Sequence, residues 1–164
     1  MSTVEQFELA ASVVSTTVIH ATMAEADGIV EQLLASMGAQ RIVSDSQKVS
    51  LPGFERSTPA EADCGITDAE WGIASTGSAI LPITVERHRA ASLLQPASII
   101  LLEEARILPD LPSALGFLGE TYMKSAQRPS SVIVVTGPSR TADIELNLVT
   151  DVPGPKKLFI VLLR

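Results

Sequence analysis

The chain has 164 residues, 46% of them hydrophobic and 19% charged, with a formal net charge of −7. That length fits a single domain with a self-sufficient core. An acidic balance argues against nucleic acid or an anionic membrane surface as a partner, and one Trp, one Tyr and four Phe are too few for a stacking platform. The asymmetry sharpens this: Glu5, Glu8, Glu25, Asp27 and Glu31 all precede the first basic residue, Arg41. Cys64 stands alone, so the chain by itself builds neither a disulfide nor a cysteine-ligated zinc or iron–sulfur site. No basic leader opens it and no apolar run approaches the ~20 residues of a membrane span, which leads us to expect a cytoplasmic protein without membrane insertion.

In chain order, a short helix is predicted from about Val4 to Ala11, followed by a strand over the β-branched run Val13 to Ile19. Thr22 and Glu25 read as a capping box for a helix that buries Ile29, Val30, Leu33 and Leu34 and stops at Gly38. Arg41 to Ser44 reads as a second strand. Asp45 to Asp63, with Pro52, Gly53 and Pro59, reads as a long loop containing one helical turn. Cys64–Thr67, Trp71–Ala74 and Ala79–Leu81 are short apolar strands separated by tight turns that join neighbours. A charged stretch, Glu86 to Arg89, precedes the interior-type strand Ser98–Leu102. Asp110 suits the cap of a helix to about Lys124, with Leu111, Leu115, Leu118 and Tyr122 inward.

Val132 to Val135 reads as another interior strand, broken by Gly137, Pro138 and Ser139 before a helix whose first turn carries Asp143 and Glu145. Lys157 to Leu163 closes the chain as a last buried strand. Helices between unrelieved apolar strands imply an α/β fold, with a mainly parallel sheet, helices on both faces and an antiparallel excursion in the middle.

The break after Val135 is the place to look for an anion. Freed backbone N–H groups and the positive end of a helix dipole favour phosphate or carboxylate there, and Arg140 adds a planar fork of donors. Gly137, Pro138, Ser139, Arg140, Thr141 and Asp143 are therefore the candidate ligand-binding residues of the cradle, with Thr76, Gly77 and Ser78 as an opposing wall. Each has a plainer use: Ser139 or Thr141 can cap a helix, Thr76 to Ser78 can be a turn, and Asp143 suits the dipole in the first helical turn. Asp143 and Glu145 point to different sides of a helix and make no paired acid/base site. Cys64 reads as a small core residue, Trp71 as core, and His20 and His88 as structural, too far from any acidic cluster with ligand spacing to suggest a metal.

The strings Asp63-Cys64-Gly65-Ile66-Thr67-Asp68-Ala69-Glu70-Trp71-Gly72-Ile73-Ala74-Ser75-Thr76-Gly77-Ser78, Ser92-Leu93-Leu94-Gln95-Pro96, Thr136-Gly137-Pro138-Ser139-Arg140-Thr141-Ala142-Asp143-Ile144-Glu145 and Gly154-Pro155-Lys156-Lys157 resemble, in order and spacing, those of LUD-domain proteins of the lactate-utilization protein C group. The resemblance covers roughly the last two thirds of the chain. It implies a single Rossmann-like α/β domain over residues 1–164, similar to the phosphosugar isomerase and CoA-transferase superfamily. It also implies an accessory role in oxidation of lactate to pyruvate, beside iron–sulfur protein subunits that would carry the clusters this chain cannot ligate, with a small anionic ligand at the Gly137 to Thr141 turn. An alternative is a stand-alone enzyme on a phosphosugar or acyl-CoA type of substrate. Two departures bear on chemistry: Ser75 stands where the family usually has an acid, and Pro153 where it usually has His.

Overall fold

The computed structural model describes residues 1–84, 94–139 and 154–164. Helix α1 (Thr3–Val13) opens on a full capping box, in which the Ser2 hydroxyl accepts from Glu5 N–H and the Glu5 carboxylate accepts from Ser2 N–H. Strand β1 (Thr17–Ala21) follows, then α2 (Ala26–Ser36), β2 (Arg41–Ser44), β3 (Glu55–Arg56), β4 (Cys64–Asp68), β5 (Trp71–Ile73), β6 (Ser78–Ile83) and β7 (Ala97–Glu103). A 3-10 turn (Glu104–Arg106) leads to β8 (Ile107–Leu108), α3 (Leu111–Met123), β9 (Ser131–Val135) and β10 (Lys157–Leu163).

These strands form two sheets. The larger has six strands in the order β1-β10-β7-β4-β2-β3, every pair parallel. β7 and β10 lie inside it and are covered on both faces, which is why they read as unbroken apolar runs. Alternate residues serve opposite layers. Ile99, Leu101 and Val161 pack with Val30 and Leu34 of α2, while Ile100, Leu102, Ile160 and Leu162 meet Phe7 and Ala11 of α1 and Ala79 and Leu81 of the second sheet. The second sheet, β8-β5-β6-β9, turns its other face to α3, where Trp71, Ile73 and Ile80 pack with Ala114, Leu118 and Tyr122. Trp71 and Tyr122 meet edge to face, ring centroids 6.4 Å apart at 87°.

Several expectations change. The strand predicted from Val13 starts only at Thr17, because α1 ends in a Schellman turn: Thr16 N–H donates to Ala11 C=O, Ser15 N–H to Ser12 C=O, and Ser15 takes the left-handed φ of 62°. Thr22 and Glu25 pair through the Glu25 carboxylate, yet Glu25 itself caps α2 and the Thr22 hydroxyl donates to it, so only half a capping box forms. Gly38 does stop α2, with a φ of 67°. The long loop holds its helical turn, Ala62 N–H to Thr58 C=O, but also the short strand β3. β4 and β5 are not hairpin partners. At the break the Ala69 N–H donates to Leu101 C=O of the first sheet and the Glu70 N–H to Ile80 C=O of the second, so the excursion is a separate sheet. β9, predicted as interior, is an edge strand among the described residues, with Val132 and Val134 40% and 46% exposed. On α3, Leu118 and Tyr122 face inward as expected, whereas Leu111 and Leu115 are exposed and Ala114 takes the buried place.

The two sheets are held in register by α1 through bare backbone. Gly77 (φ 64°) lies so close to the helix that an added Cβ would fall 2.2 Å from Ala11 N, and one on Gly137 (φ 77°) would fall 2.6 Å from Val14 O. A side chain at either position would displace the helix end. Gly77→Ala should therefore cost about 2–4 kcal/mol. Gly116→Ala, in α3 with nothing within 4 Å of the added Cβ, should be neutral or stabilising by up to about 1 kcal/mol. Urea midpoints of the two variants check this opposition in sign.

Candidate functional site

The segments singled out in sequence meet at one end of the six-stranded sheet. Ser78, 1% exposed, bonds through its hydroxyl to Thr76 Oγ1 at 2.7 Å and, 58 residues away, to Thr136 Oγ1 at 2.6 Å. Ser139 N–H donates to Pro155 C=O at 2.7 Å, and Lys156 N–H to Pro96 C=O at 2.9 Å. Gly154 (φ 132°) must be glycine, since its Cβ would fall 2.7 Å from that of Ser139. β7 begins at Ala97, β10 at Lys157, and β1 just after the α1 turn against which Gly137 rests, so this is where the parallel strands start. Thr76, Gly77, Ser78, Gly137, Pro138 and Ser139 are thus brought to one end of the sheet. Arg140, Thr141, Asp143 and Glu145, the rest of the predicted cradle and its helix, lie outside the described residues, as do His88 and Pro153.

The arrangement suits an acceptor ligand. Three hydroxyls carry three protons, and the two bonds among Thr76, Ser78 and Thr136 use two, leaving one to donate outward. Thr76 and Thr136 are exposed, so that donor can be offered to solvent or ligand. The same end holds a cleft of about 310 Å³ whose lining includes Pro96, Asp63, Lys156 and Lys157. Hydrogen bonds from the Arg41 and Gln40 amides hold the Asp63 carboxyl below its usual range. Neither lysine forms an ion pair among the described residues. Sequence reasoning quoted Thr136, Lys156 and Lys157 but did not select them; only pairing across the fold shows their place.

The opposite end, where the parallel strands finish, is already neutralised from within. His20, read from the sequence as a structural histidine, has its Nε2 2.5 Å from Glu8 Oε1 on α1 and its Nδ1 2.8 Å from Glu104 Oε1. Residues 84 apart could not have been paired by spacing. Both ring nitrogens can donate at once only in the imidazolium, and the Glu8 hydrogen bond, helped by Glu104 against the cost of burial, raises the His20 pKa. Burial alone would raise Glu104, but hydrogen bonds from Arg164 and His20 outweigh it and hold it low. Lys48 pairs with Glu103, and Arg106 with Glu70. Cys64 is fully buried in β4, and burial pushes its thiol up to about 12, which leaves no thiolate nucleophile at neutral pH. Among the described residues no group of three or more His, Cys, Asp or Glu side chains is arranged to hold a metal ion, and no helix is long and apolar enough to cross a membrane.

These features define a Rossmann-like α/β protein with a second sheet docked on the first and its polar turns gathered at the strands' amino ends. Residues 53–163 match the LUD domain family, and the chain belongs to it. It is 34% identical over 144 residues to the uncharacterized protein YkgG of Escherichia coli strain K12, a match covering 87% of this chain and 60% of that one. It is 36% identical over 104 residues to lactate utilization protein C of Oceanobacillus iheyensis, covering 63% of this chain and 45% of the relative. With lactate utilization protein C of Bacillus subtilis strain 168 the identity is 33% over 111 residues, 67% of this chain and 46% of the relative. The chain thus spans about half the length of these curated relatives. The crystal structure of a DUF162 family protein from Deinococcus radiodurans shares the fold, with a TM-score of 0.73 at 18% identity, covering 100% of this chain and 99% of that one.

The His20 cluster has a pH signature. Because the folded pKa is raised above the ordinary 6.5, its contribution is complete below that value and fades as pH rises through the folded pKa. His20→Gln should cost about 0.5–1 kcal/mol at pH 6 and less at pH 9, read from urea midpoints at the two pH values. Equal losses at both would contradict the paired imidazolium.

Proposed function

We propose that this chain serves lactate utilization as a subunit without redox centres of its own, holding a small carboxylate at the amino ends of the parallel strands. The observation that carries this reading is the meeting of the four family strings, joined by the Ser78–Thr136, Ser139–Pro155 and Lys156–Pro96 hydrogen bonds. Relatives named lactate utilization protein C supply the substrate class. The hydroxyl chain offers a donor, Lys156 and Lys157 offer charge, and the Gly137 turn offers close backbone approach. Arg140 and Thr141 would complete the cradle, and Asp143 would lie beside it. No group in the described site is poised to remove a proton or attack a carbonyl, so the site binds and positions. Oxidation would fall to iron–sulfur partner chains.

Two measurements test this. Deleting the gene in its native host should abolish growth on lactate, and the wild-type chain should restore it while Ser78→Ala and Arg140→Ala restore it poorly. In vitro, L-lactate should raise the melting temperature of the wild-type protein, and Arg140→Ala should remove the shift. Undiminished growth of the deletion strain, or sugar phosphates and CoA esters shifting the protein where 2-hydroxy acids do not, would overturn the reading.

A further inference from the structure

A second groove, lined by no residue of the four family strings but bordered by the Ser78–Thr136 pair, lies between α3 and the edge strand β9. Its floor is set by the antiparallel register of β6 and β9, in which Ile80 stands opposite Val134. On that face of the sheet Val132 and Val134 are exposed, and Leu115, Leu118 and Tyr122 of α3 form the wall. Ser78 and Thr136, the next cross-strand pair on the same face, end the apolar floor at one side. At the other side stands Arg128, the one charged residue among the described lining residues. Its guanidinium is anchored by donating from Nη2 to Met123 C=O at 3.0 Å, and it forms no ion pair among the described residues.

Shape and charge together select the occupant. The groove has a volume of about 460 Å³, within the usual range for small-molecule sites, whereas a stable protein partner needs roughly 1,000 Å² or more of interface. Its surface is hydrocarbon that water wets at a cost: Leu115 is 57% exposed and Val134 46%. In a chain of net charge −7, a cation with no ion pair among the described residues, at the end of an apolar slot whose described lining holds no acid, complements a carboxylate carrying an apolar tail.

We propose that this groove binds an apolar-tailed monocarboxylate of the medium-chain fatty acid class, its carboxylate on the Arg128 guanidinium and its chain over Val132, Val134 and Leu115. The site is distinct from the one proposed for lactate and stands or falls independently of it.

Calorimetric titration of the intact protein with octanoate and with 1-octanol tests the assignment, with Trp71 fluorescence as a second readout through its contact with Tyr122. Octanoate should bind in preference to the alcohol. Arg128→Gln should weaken octanoate at least tenfold and leave the alcohol unchanged, and Leu115→Glu should weaken both. Phe117→Glu, on the exposed part of α3 outside the groove, should change neither, and none of the three should alter the thermal shift with lactate. Absence of octanoate binding at millimolar concentration, or Arg128→Gln binding octanoate as the wild type does, overturns the proposal.

Discussion

Close contact between glycine backbone and the end of α1 is the constraint on which the arrangement rests. Gly77 and Gly137 belong to different turns of the second sheet, and each presses main chain against main chain, at Ala11 and Val14, where a methyl group would not fit. This contact fixes how deeply the second sheet docks on the parallel sheet. It also sets Ser78 and Thr136 within hydrogen-bonding distance. The glycines that read as marks of an anion turn therefore have a packing role of their own.

The two ends of the parallel sheet differ in what they leave unsatisfied. Ligands of open α/β sheets usually gather at the strands' carboxyl ends. Here the charged groups at that end are matched by internal pairs: His20 between Glu8 and Glu104, Arg164 on Glu104, Lys48 on Glu103 and Arg106 on Glu70. The amino end keeps an outward hydroxyl donor and two lysines without a carboxylate partner among the described residues.

Strands buried on both faces were readable because continuous apolar runs have few other uses, and β4, β7 and β10 lie where hydropathy put them. β9 misled for an instructive reason. Its four consecutive β-branched apolar residues, Val132 to Val135, match an interior strand, yet two of them line an open groove, and a run of valines carries no mark of which neighbour is missing. The exposed Leu111 and Leu115 were misread in the same way, since helical spacing identifies an apolar stripe without saying what covers it. Glycine turns and motif order pointed to the Thr76 and Gly137 segments. The His20 cluster was invisible because its members come from α1, β1, the turn after β7 and the end of β10, related only by the fold.

The most direct test of the amino-end site is an amide chemical-shift titration with L-lactate. Saturating shifts concentrated at Gly77, Ser78, Gly137, Ser139 and Lys156 are predicted, with His20, Glu104 and Ala105 unmoved. Shifts confined to His20, Glu104 and Ala105 would place the ligand at the carboxyl ends and contradict the assignment.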